Sequence, residues 1–141
     1  MNNEIKGIGG WLLFFVILLI LGVLGDLSKV ISSFNESVLS SVIYLILGLF
    51  GVITMIFIFN KSSKAPKITI VYLWVSFVFS SIMLFLSASG FGLEGAHQEI
   101  VDTAQNYLLV ISALSIFIEL IITIIFTLYL MKSARVKNTF S

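Results

Sequence analysis

A single glutamate stands in the last long apolar run of this 141-residue chain. Glu119 lies midway between Tyr107 and Met131, a stretch with no other charge, and rows of hydroxyls accompany it. Ser112, Ser115, Glu119, Thr123 and Thr127 follow spacings of three, four, four and four. On a helix that places them within about a third of the circumference. An earlier run carries Thr69, Tyr72, Ser76, Ser80 and Ser87 at three, four, four and seven. A central acid costs about 2.5–3.5 kcal/mol on insertion scales, against about 0.3–0.6 gained from each central Leu, Ile, Phe or Val. Sixteen such residues lie between Tyr107 and Met131, so the run still inserts. Hydrocarbon satisfies no polar group, so the two stripes are expected to face each other on antiparallel helices. Glu119 should then point inward and hydrogen-bond to a hydroxyl of the earlier helix. Such a carboxyl suits a proton or cation relay, or a buried ligand contact. With one acid and no basic or histidine partner in any apolar run, interhelical glue is the plainer reading.

A second set of reactive types, Glu94, His97, Glu99 and Asp102, falls between apolar runs. Glu94 and His97 are three apart and share a helix face, but transition-metal sites usually show a second histidine or cysteine. The chain has one histidine and no cysteine. A solvated helix face, its acids favoured near the helix start by the dipole, fits better. There is no serine–histidine–acid set, no phosphate-binding loop and no zinc-protease motif. Gly7, Gly9 and Gly10 in "GIGG" lack the dinucleotide spacing, and no strand precedes them. The sequence therefore predicts no enzyme, no cofactor and no metal site.

The elements that must position these residues follow from composition. The chain is 59% hydrophobic and 11% charged, with mean hydropathy +1.15. Ordinary soluble chains carry about 25% charged residues, so lipid is the solvent for most of this one. A net charge of +1 leaves no basic stripe for nucleic acid. Four apolar runs, about 8–25, 37–60, 68–90 and 106–131, predict a single all-α domain of four transmembrane helices. A cleaved signal peptide ending at Gly25 is the competing reading of the first run, but no polar segment supports processing. Lys6, Lys61, Lys64, Lys67, Lys132, Arg135 and Lys137 fall on one side and only Lys29 on the other. Both termini are then expected in the cytoplasm. The two outer connections, 26–37 and 91–106, carry apolar residues at helical spacing and predict short amphipathic segments. Membrane lipid is the expected partner, with other membrane proteins or a second copy of the chain beside it.

The ends of the chain add two motifs. "GIGGWL" holds Gly7, Gly9, Gly10 and Trp11, and "KSARVKNTF" holds Ser133, Arg135, Lys137 and Phe140. Together they resemble the YdgK-like family of small bacterial inner-membrane proteins, a domain of unknown function. The resemblance implies four helices and a multi-pass place in the bacterial cytoplasmic membrane, and it brings no activity or catalytic residue. Physically, the motifs should meet at the cytoplasmic face. Arg135 and Lys137 would bind lipid phosphates or the last carbonyls of the fourth span, and Phe140 would tuck in beside Trp11.

Overall fold

The computed structural model describes residues 7–33, 38–88 and 98–140. These form five helices: α1 Trp11–Ser33, α2 Val38–Phe59, α3 Ala65–Ala88, α4 Gln98–Lys132 and α5 Ala134–Thr139. There is no strand among the described residues. Four stretches are long and apolar enough to cross a membrane: Trp11–Ser32, Ser40–Phe59, Ala65–Phe85 and Asn106–Lys132. The protein is an all-α membrane protein with four transmembrane helices.

The helix limits differ from the charge-delimited runs for local reasons. α1 starts at Trp11 rather than Ile8, because Gly7 and Gly10 hold φ of +95° and +56°, which a right-handed helix does not accept. At its other end α1 passes through Gly25 and Asp26 to Ser33. The stretch 26–33, expected as a separate interfacial segment, is therefore its last two turns. Leu27 carries the helix onward by packing on Gly48 of α2. α2 ends in a tight turn: Lys61 takes φ 49°, its N–H donates to Ile58 O at 3.0 Å, and the Ser62 N–H donates to Phe57 O at 3.0 Å. This pair of bonds around one left-handed residue is a Schellman closure. α3 then starts at Ala65, three residues before Ile68, because Pro66 fits a first helical turn. α4 joins residues 98–105 of the second outer connection to the span without a break. Its 35 residues reach about 52 Å, well beyond a hydrocarbon core of about 30 Å.

Two compact units emerge, Met1–Tyr72 with Phe126–Ser141, and Leu73–Ile125. In the first, Leu12, Phe15, Val16, Leu19 and Val23 form a buried helical stripe on α1. Gly51 lets Val23 and Tyr72 close on α2. Phe15 tilts against Phe126 at 4.7 Å, and Phe50 meets Tyr72 edge-on at 5.6 Å. Gly22 and Gly25 on α1 face open space instead. The second unit holds the later part of α3 and the earlier part of α4. Only 11% of the α3 apolar window and 6% of the α4 window are buried inside the protein, against 28% for α1 and α2.

Candidate functional site

The mid-span carboxyl has a hydroxyl partner. Ser80 Oγ on α3 donates to Glu119 Oε1 on α4 at 2.6 Å. The same hydroxyl lies 3.2 Å from Phe77 O, and its one proton favours the shorter of the two contacts. Glu119 is half-buried. Its second carboxyl oxygen has no hydrogen-bond partner among the described residues.

The remaining stripe residues divide. Thr123 is buried, Ser112 is half-buried, and Ser115 is exposed, its Oγ turned back to Ile111 O at 2.9 Å. On α3, Thr69 is buried and donates to Ala65 O at 2.7 Å. Ser76 Oγ, Ser81 Oγ and Thr127 Oγ1 are buried with no partner among the described residues. Ser81 was outside the predicted stripe. Glu94 and His97 lie outside the described residues, as do the side chains of Ser87, Glu99 and Asp102.

The two terminal motifs form one structure in the first unit. Ser133 leaves the α4 helix with extended backbone and caps α5, its hydroxyl accepting the Val136 N–H at 3.4 Å. The six-residue α5 then brings Thr139 to Gly7. The Gly7 N–H donates to Thr139 Oγ1 at 3.1 Å, and that hydroxyl lies 3.3 Å from Gly7 O as a donor. Arg135 lies along the glycines, where a Cβ on Gly9 would sit 2.9 Å from Nη1 and one on Gly10 3.1 Å from it. Arg135 therefore covers "GIGG". Lys137 is exposed, and Phe140 is buried in the floor of a groove with Leu130 and Val136. Trp11 is 74% exposed and meets Phe14 edge-on at 5.7 Å.

A polar cluster that the charge-delimited runs concealed joins α1, α2 and α3. Tyr72 Oη donates to Asp26 Oδ2 at 3.3 Å. Lys29, one turn after Asp26, holds its Nζ 5.2 Å from the centre of the Tyr44 ring, within cation–π range. Ending the first span at Gly25 assigns Asp26 and Lys29 to a separate amphipathic outer segment, apart from the span. Their spacing of three, a favourable helical pair, was the available signal.

With this geometry in place, comparison with known proteins identifies a family. The family described as a protein of unknown function (DUF2569) covers residues 5–141. The chain belongs to the DUF2569 family. No curated protein and no solved structure matches it. The DUF2569 match takes in both terminal motifs, the Ser80–Glu119 pair and the Asp26 cluster, so all three belong to one family domain.

Proposed function

We propose that this DUF2569 protein is a non-enzymatic membrane subunit or accessory protein that works through contacts with other membrane helices or a second copy of itself. The observation that supports this is Glu119. It sits mid-span on the least covered helix, half-buried, with one carboxyl oxygen engaged by Ser80. Lipid chains offer the other oxygen nothing, whereas a hydroxyl or amide on a neighbouring helix does. The terminal motifs favour a YdgK-like protein of the bacterial cytoplasmic membrane. Lysine and arginine placement favours cytoplasmic termini.

Native mass spectrometry after extraction in mild detergent, repeated in lipid nanodiscs, tests the main reading. A defined complex, either a homo-oligomer or a fixed stoichiometry with a second membrane protein, is the expected result, weakened by Glu119→Leu. A bare single chain in both media overturns it. The sidedness has its own test, because the chain contains no cysteine. Single cysteines at Lys64 and Lys137 should be shielded from an impermeant maleimide in intact cells, while one at Glu94 should react.

A further inference from the structure

The turn into α3, the end of α4 and α5 enclose an open groove of about 610 Å³ in the first unit. Its floor is buried and apolar, formed by Leu130, Val136 and Phe140, and Ile70 and Met131 continue that surface outward. Lys67, on the first turn of α3, and Lys137, on α5, both line it and are exposed. Among the described lining residues the only charges are these two, both positive. Both also lie at span ends, since Ala65–Phe85 begins two residues before Lys67 and Asn106–Lys132 ends five before Lys137. That is the depth of lipid headgroups.

We propose that this groove holds one anionic phospholipid, its phosphate between Lys67 and Lys137 and the upper part of one acyl chain on Leu130, Ile70 and Met131. The charges call for an anion, and the floor calls for methylenes. A free phosphate would leave the apolar floor wet, and a lipid without net charge would leave the ammonium pair uncompensated. The assignment differs from the sequence-based expectation for the tail, because Arg135 is occupied with Gly9 and Gly10 and Lys67 stands in its place beside Lys137. It does not depend on the accessory-subunit reading, since no partner helix is involved.

The test is lipid titration followed by native mass spectrometry of the detergent-purified protein, with phosphatidylglycerol, phosphatidylcholine and inorganic phosphate as separate probes. One phosphatidylglycerol should bind per chain. Each of Lys67→Gln and Lys137→Gln should weaken it about 5-fold, and the pair about 30-fold, as expected for one interfacial charge each. Ile70→Trp, which fills the groove and keeps both lysines, should also expel the lipid. Lys64→Gln, exposed and outside the groove, should change nothing. Equal retention of phosphatidylglycerol and phosphatidylcholine overturns the proposal, as does binding unaffected by the double variant. Displacement of the lipid by inorganic phosphate at matched concentration overturns it too, by showing a phosphate site with no use for a chain.

Discussion

Thr139 and Gly7, 132 residues apart, share a donor and an acceptor through one hydroxyl. That relationship makes the first glycine motif and the last helix a single unit, with Thr139 itself 7% exposed. Thr139→Val keeps the shape and removes both bonds, leaving the Gly7 N–H without its partner. Stability should fall by about 1–3 kcal/mol, read as a lower thermal midpoint of the detergent-solubilised protein. Thr139→Ser should keep most of the wild-type value.

The glycines opposite Arg135 separate two kinds of constraint. A methyl on Gly9 meets only the end of a long side chain, 2.9 Å away, and the guanidinium can move. At Gly10 the backbone itself is left-handed, φ +56°, and a non-glycine residue there costs about 1–2 kcal/mol. Gly10→Ala should therefore destabilise more than Gly9→Ala. In an Arg135→Ala background Gly9→Ala should become nearly neutral, while Gly10→Ala keeps its cost. Thermal midpoints of the three single variants and the two doubles check this.

The fold was readable where physics acts on long runs. Twenty-odd apolar residues bounded by lysines announce a span, and all four spans are present. The ends were less readable, because charge marks where lipid stops and not where a helix stops. Gly25 followed by Asp26 looks like an exit, yet Leu27 on Gly48 continues the helix. Within the candidate site, hydroxyl spacing pointed to the α3–α4 pair. It could not tell that Tyr72 would reach Asp26 or that Ser115 would turn outward, since both depend on which helix lies alongside. The α5 helix had a legible signal in Ser133, a capping residue directly after a long helix.

Close packing of α1 on α2 predicts an asymmetry among the span glycines. A Cβ on Gly51 would strike the Val23 side chain and come within 3.0 Å of Tyr72 Oη. Both neighbours are buried, so neither yields easily. Gly51→Ala should cost about 1–3 kcal/mol through overpacking. Gly22→Ala, with nothing within 4 Å, should be neutral or stabilise by about 0.4–1 kcal/mol through lost unfolded-chain freedom. Denaturation of the two variants side by side distinguishes tight packing from a general intolerance of alanine in these helices.

The Ser80–Glu119 bond is short, 2.6 Å, but length alone does not set its worth in a membrane. Interhelical polar pairs there average about 0.6 kcal/mol and reach about 1.7, because the separated helices find other partners. A double-mutant cycle of Ser80→Ala and Glu119→Leu isolates the pair, because each change removes one of its partners. Glutamine keeps an acceptor oxygen at the same reach, so Glu119→Gln alone should cost less than Ser80→Ala, which leaves the carboxyl oxygen without its donor. The coupling in the Ser80→Ala and Glu119→Leu cycle should fall within about 0.5–1.7 kcal/mol. A coupling near zero would mean that Glu119 is held by something other than Ser80. The mid-span acid would then owe its place to a partner helix alone, and Glu119→Leu would disturb assembly without altering the stability of the isolated chain.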